Sequence, residues 1–492
     1  MNIALVIIFL FLLISLFLGV RARRGKDMNL EQWSVGGRGF GTIFVFLLMA
    51  GEIYTTFTFL GGSGWAYGKG GPTFYILSYG CLAYILSYWL LPAIWKYAKE
   101  KKLMSQSDFF ASKYQSKALG ILVAIVGVIA MIPYLVLQLK GLGSIVSEAS
   151  YGTISPNAAI WIGVIAVTIY VSISGIHGSA WTAVLKDIMI LGVVVFMGIY
   201  IPIHYYGGYQ PMFEAIDKAK PGFLVLPNKG LSPSWFVSTV LLTALGFYMW
   251  PHTFGSIYSA QNHKVFRKNA MILPLYQLIL LFVFFVGFAA VLKVPGLQGA
   301  AGDLSLLKLS KQTFDPWFVG VIGAAGILTA LVPGSMLLMA ASTLIAKNIY
   351  QALVPTATDA QVSKLAKSLV PVVALVALYF TFQGGQAIVM LLLMGYSLVT
   401  QLFPAMVCSL SKQNFVTKQG AICGILAGVL TVAYTTIANT SIGKLFPTFP
   451  QQIKDLNIGI VAMIVNVVVL VVVSLITKNQ RMSSSDQLLK NA

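Results

Sequence analysis

Long apolar runs separated by short polar stretches fill the chain from its second residue to about residue 477. Thirteen of these runs are near the roughly 20 residues that a helix needs to cross a hydrocarbon core. They are 2–20, 41–66, 74–95, 119–147, 157–176, 180–203, 236–259, 270–292, 317–345, 368–383, 386–410, 419–438 and 457–477, numbered below as segments 1 to 13. The longest connection, 204–235, carries Gly, Pro and aromatic residues but no second core. The Ser-rich tail 478–492 is polar and reads as disordered. The pattern predicts an all-α polytopic membrane protein with one transmembrane domain, 1–477, and a cytoplasmic tail. Segment 1 resembles a secretory signal only superficially. No basic residue precedes it, no small-residue cleavage site follows, and Arg21, Arg23, Arg24 and Lys26 come directly after it. It reads as a retained helix.

Composition agrees. Of 492 residues 58% are hydrophobic and only 10% charged, where a soluble domain has about 25% charged. The net charge of +19 comes from 33 Lys and Arg against 14 Asp and Glu. With the N-terminus outside and the C-terminus inside, two thirds of the basic residues fall in cytoplasmic stretches, as the positive-inside rule asks. The charge therefore reports topology in a cell membrane and gives no reason to expect nucleic acid. Cys81, Cys408 and Cys423 sit in apolar runs without metal or disulfide spacing and read as packing residues.

Three ionisable residues interrupt the apolar runs at membrane depth, where each costs roughly 2.5–3.5 kcal/mol. Glu52 lies in segment 2, and the adjacent Lys186 and Asp187 lie in segment 6. Neighbouring helical positions point about 100° apart, so these two are expected on different faces. Near a helix end, Lys186 could snorkel and Asp187 could cap. Glu52 is flanked by Gly51, Thr55 and Thr56 and followed by Gly61-Gly62-Ser63-Gly64. Glycines and hydroxyls around an acid suggest a broken helix whose freed carbonyls and amides bind ions or polar solutes. Segment 7 carries a second interruption at Trp250-Pro251-His252, where proline removes a donor and kinks the helix. Segments 2–6 (41–203) and 7–11 (236–411) then form two five-helix units. The odd number inverts the second unit, and each unit opens on a broken helix. That arrangement points to a site at the bilayer midplane and to alternating access.

At these residues the chain resembles the sodium:solute symporter family, whose LeuT-type architecture is a five-plus-five inverted repeat. The resemblance rests on Phe59 to Tyr67, on Tyr134 to Gly141, on Gly175 to Asp187, on Ala340 to Tyr350, and on Gly395 with Pro404. Within the family it is most similar to bacterial monocarboxylate and small amino-acid permeases, which implies a bacterial plasma membrane, a small organic solute and a coupling cation. It implies no cofactor beyond a bound sodium ion. In relatives that ion lies between the break of segment 2 and segment 9, which here implies the carbonyls of Gly51 and Tyr54. The usual Ser/Thr pair of segment 9 is replaced by Val332 and Pro333, which have no side-chain oxygen for a hard cation. Thr329 or Ser335 could substitute if the helix bends at Pro333. The family's acid in segment 6 matches Asp187, but its usual uncharged neighbour is Lys186 here. An ammonium at that place supplies the positive charge the break needs, and a proton can take sodium's role, with Glu52 as a candidate acceptor. Sodium and proton coupling both stay open. The resemblance places the solute among segments 2, 4, 7 and 11, at Glu52, Thr55, Thr56, Gln138, Phe247, Trp250, His252 and Gln401.

Other classes fit less well. Gly61 to Gly64 has the form found around intramembrane serine nucleophiles, but such chemistry needs a nearby histidine. A passive channel lacks a ring of charge or a filter-like loop. A solute sensor built on a transporter, or a sodium-independent exchanger, would look the same in sequence.

Overall fold

The structure, a computed structural model, describes residues 2–490, with side chains through Lys478. Among these residues the fold is entirely helical apart from one isolated bridge between Phe40 and Ala260. Ten helices are long and apolar enough to cross a membrane. Pro316–Leu353, which contains segment 9, is the hub, with 94% of its apolar window buried. Ile3–Arg23 and Ile458–Lys478 are only 28% buried and form the periphery. The helix of segment 9 runs through Pro333 from Pro316 to Thr343.

Segments 5 and 6 form one helical run, Pro156–Tyr206, that turns a corner at Gly175 (φ 53°, ψ −150°). A Cβ there would come within 2.5 Å of the Trp33 carbonyl oxygen, so both the backbone conformation and the close approach require glycine. Segments 2 and 7 are each divided, as expected. Segment 2 has Thr42–Gly51, a turn, a widened stretch Phe57–Gly62 and the helix Ser63–Lys69. The tail departs from expectation. Helix Ile458–Lys490 carries segment 13 through it, since extending a helix costs far less than nucleating one. Asn491 and Ala492 lie outside the described residues.

At one end of the bundle, Ser105 caps the short helix Gln106–Tyr114, and Asp108 returns a bond to the Ser105 backbone. Asp108 also accepts from Lys347 Nζ at 2.8 Å and from Asn348 at 2.7 Å, tying this helix to the end of segment 9. Burial pushes its carboxyl up, but Lys347 and these hydrogen bonds outweigh burial and hold it below the ordinary value. The stabilisation is thus present above the ordinary carboxylate pKa and lost as pH falls through the depressed one. Asp108→Asn is expected to lower stability by about 1–3 kcal/mol at neutral pH and to flatten the acid limb. Thermal unfolding in detergent from pH 7 to 4 measures both.

Candidate functional site

Both breaks leave backbone groups that the helix ladder no longer serves. In segment 2, Thr58 Oγ1 donates to the carbonyls of Ile53 (2.8 Å) and Thr55 (3.0 Å), and Thr55 Oγ1 accepts from Phe57 N. The Thr55 hydroxyl, expected on the solute, is therefore part of the break itself. In segment 7, Pro233–Gly246 tightens over Phe247–Met249, Trp250 is extended, and the helix resumes at Pro251–Ser259.

Lys186 does not snorkel. It is fully buried, and its Nζ lies 3.4 Å from the Tyr54 carbonyl oxygen and 3.3 Å from where a Cβ on Gly51 would stand. Val332 Cγ1 is 3.9 Å from that same point. The ammonium thus occupies the notch formed by Gly51, Tyr54 and Val332. Its counter-ion is Asp187, at 2.9 Å, so Asp187 does not act as a helix cap. The two α-carbons do diverge, but the long lysine stem bends back to its neighbour, which the angle between adjacent positions does not capture. Neither Asp187 oxygen has an aligned hydrogen bond. The hydroxyls of segment 9 are used elsewhere: Thr329 donates to the Gly326 carbonyl, while Ser335 donates to that of Val332 and pairs with Ser179 at 2.7 Å.

Glu52 faces segment 7 and pairs there rather than with Lys186. Its Oε2 is 2.5 Å from His252 Nε2, a close contact that is not an aligned hydrogen bond, and Ser256 donates to Oε1 at 3.3 Å. Tyr134 donates to the Glu52 carbonyl at 3.2 Å, and its ring packs on Trp250 (4.9 Å between centroids) and His252 (5.5 Å). Tyr134, Gln138 and Gly141 share one helix face by their spacing. Thr56 packs so closely on Gly141 that a Cβ there would clash with it.

Several groups gathered here are buried without a partner: Thr56 Oγ1, both polar atoms of Gln138, Trp250 Nε1 and His252 Nδ1. An orphaned buried polar group costs about 1–3 kcal/mol, so a cluster of them marks a place where something else completes the bonding. Cavities of about 10 and 20 Å³, lined in part by Gln138 and by His252, adjoin these groups and have room for a single water. Space for anything larger here would require the helices to part.

Two expected solute residues are engaged with other partners in this structure. Phe247 is locked into an aromatic cluster with Tyr84, Tyr79 and Tyr248. Gln401 spends its amide on the Ser397 and Gly459 carbonyls and accepts from Asn466 of segment 13, so it braces the periphery. Tyr134 and Ser256 were not singled out as site residues in the sequence. Tyr134 lies in one of the quoted motifs, but Ser256 left no signal. Among the described residues, no cluster of His, Cys, Asp and Glu could hold a metal ion.

The sequence model of the sodium:solute symporter family matches residues 33–428. The chain belongs to that family. This symporter is similar to "Uncharacterized symporter YhjB" of Bacillus subtilis, at 71% identity over 99% of this chain and 100% of the relative. It is 32% identical to a monocarboxylate transport permease protein of Rhizobium johnstonii over 86% of each chain. Its fold resembles that of a Na+-coupled sialic acid symporter solved in a substrate-bound outward-open state, with a TM-score of 0.76, 17% identity and coverage of 97% and 98%. The protein is a multi-pass membrane transporter of the cation-coupled symport class and not an enzyme.

Proposed function

We propose that this symporter takes up a small monocarboxylate together with a proton, by alternating access about its two broken helices. In this reading the chain crosses a bacterial plasma membrane thirteen times with its N-terminus outside, as the distribution of Lys and Arg supports. The observation that carries the coupling ion is the Lys186 ammonium in the notch of Gly51, Tyr54 and Val332. A sodium ion there would need oxygens, and Val332 and Pro333 offer none from their side chains. Protonated Lys186 and Asp187 form a neutral pair. When the proton leaves, the pair becomes negative beside the Tyr54 carbonyl, and the balance between two packings of segments 2, 6 and 9 shifts.

The solute class rests on the unpartnered groups. Trp250 Nε1, the Gln138 amide and the Thr56 hydroxyl are donors suited to a carboxylate, and the helix beginning at Pro251 adds its positive end. An amino acid would also need an acidic partner for its ammonium, and Glu52 is already taken by His252 and Ser256. The name of the 32% relative supports the same class.

Proteoliposomes offered propionate, lactate, glycine and alanine test the reading. An inward proton gradient should drive equal accumulation of the monocarboxylates in sodium and in choline buffers. Accumulation driven by sodium at clamped pH overturns proton coupling. Exchange without accumulation makes the protein an exchanger, and binding without translocation makes it a sensor.

A further inference from the structure

The connection between segments 8 and 9 forms a short turn of helix, Gly299–Leu304, followed by Ser305–Thr313. Asp303 in that turn is only 4% exposed. Its Oδ2 accepts from the backbone N–H of Ile388 at 2.9 Å, the first residue of the helix of segment 11. That helix start has no side-chain cap of its own, so the carboxylate of a distant loop serves as one. The same residue lies flat on Gly64: a Cβ there would come within 2.8 Å of Asp303 Cα and Oδ1. A Cβ on Gly61 would stand 2.9 Å from Ile388 Cγ2. The glycines of Gly61-Gly62-Ser63-Gly64 therefore seat the loop and the start of segment 11 on the second half of segment 2.

We infer that Asp303 is a positioning residue, the latch that closes the outer gate of the transport path. The inference rests on the orientation and alternating access proposed above. The charged and titratable groups facing the latch are few. Segment 4 contributes Lys140, whose Nζ donates to the Gln386 carbonyl just before segment 11. The second half of segment 2 contributes Tyr67, already bonded to the Val294 carbonyl, and Lys69 at its exposed end. The helix after the loop carries Lys308 and Lys311, the latter paired with Glu148. The start of segment 11 contributes none.

Burial pushes the Asp303 carboxyl up to about 6, against the partial opposition of the Ile388 N–H and Lys140. When the gate opens and the loop meets water, the ordinary value near 3.8 returns. The closed state therefore binds a proton more tightly than the open one. External acid deepens closure, and above about pH 6 the ionised carboxylate favours opening. A gap of that size is worth up to about a hundredfold in the closed-to-open ratio.

Spin labels at Lys308→Cys and Lys69→Cys, with the native cysteines replaced, report the distance between the loop and the second half of segment 2 in detergent without solute or sodium. Between pH 7.5 and 5.5 the native latch should shift about fourfold toward the short distance. Asp303→Asn, which keeps an acceptor for Ile388 without the charge, should stay closed at both pH values. Gly64→Ala should be shifted toward open at both. A pH response in Asp303→Asn equal to that of the native latch overturns the inference, as does a closed gate in Gly64→Ala. If Gly64→Ala does not fold, the Asp303→Asn comparison decides alone. Since the readout needs no gradient and no solute, failure of proton coupling leaves it standing.

Discussion

Lys186→Met combined with Asp187→Asn is expected to abolish proton-driven accumulation, with initial rates down at least about 100-fold, while the protein still folds. The pairing of substitutions matters. Lys186 is fully buried and Asp187 nearly so, and removing one partner of such a pair costs about 3–5 kcal/mol because the other charge is stranded. Lys186→Ala alone would therefore confuse lost coupling with lost stability. The double change leaves two neutral side chains of similar volume, and replacing both partners is often close to neutral. Uptake in proteoliposomes under an imposed pH gradient checks the loss, and solute counterflow checks that the path still operates. A stronger form adds Val332→Ser and Pro333→Thr. With the ammonium gone and two hydroxyls beside the Gly51 and Tyr54 carbonyls, the notch acquires the oxygens a hard cation requires. Sodium-stimulated uptake should then appear. Undiminished proton-driven accumulation in the double variant would place the coupling group elsewhere.

Part of this site could be read from the chain because its signals are local. Gly51 and the threonines around Glu52, and Pro251 after Trp250, mark broken helices by the backbone chemistry of the residues themselves, and both breaks are present. The notch was legible in outline, since a lysine gained in segment 6 and hydroxyls lost at Val332 and Pro333 point to one place. What could not be read was set by side-chain reach and by contacts remote in sequence. Lys186 and Asp187 point apart at their α-carbons, yet a flexible four-carbon stem closes the gap. Glu52 and His252 are 200 positions apart, and nothing in either segment announces their pairing. Gln401 has the composition of a solute residue, but the approach of segment 13 decides where its amide goes. Asp303 looks like any loop acid until Gly64 and Ile388 are brought against it. Segments 5 and 6 meet at Gly175 without a loop, because a single glycine can take a backbone angle that normally needs a turn.

Trp250→Phe should produce an opposed pair of effects that a merely structural role would not: weaker solute binding and an empty protein at least as stable as before. The indole ring packs against Tyr134 and Tyr396, at 4.9 and 5.3 Å, and a Cβ on Gly395 would come within 2.4 Å of it. Trp250→Ala would leave a large hole and is expected to cost about 3–5 kcal/mol, so its loss of uptake could be blamed on unfolding. Phenylalanine keeps an aromatic ring on Tyr134 but removes the N–H together with two ring carbons, and the gap left beside Gly395 costs about 1 kcal/mol. That N–H is buried without a partner in the empty protein, so deleting it relieves a cost there. In the loaded protein the same deletion removes a hydrogen bond to a charged acceptor, worth about 1.5–3 kcal/mol, or about 10- to 150-fold in affinity. Thermal unfolding in detergent, with and without saturating propionate or lactate, separates the two effects. The empty variant should melt at or above the native temperature, and the stabilisation by solute should largely vanish. If instead the variant melts lower when empty and is stabilised by solute as fully as the native chain, Trp250 is packing alone, and the donors at Gln138 and Thr56 must carry the carboxylate without it.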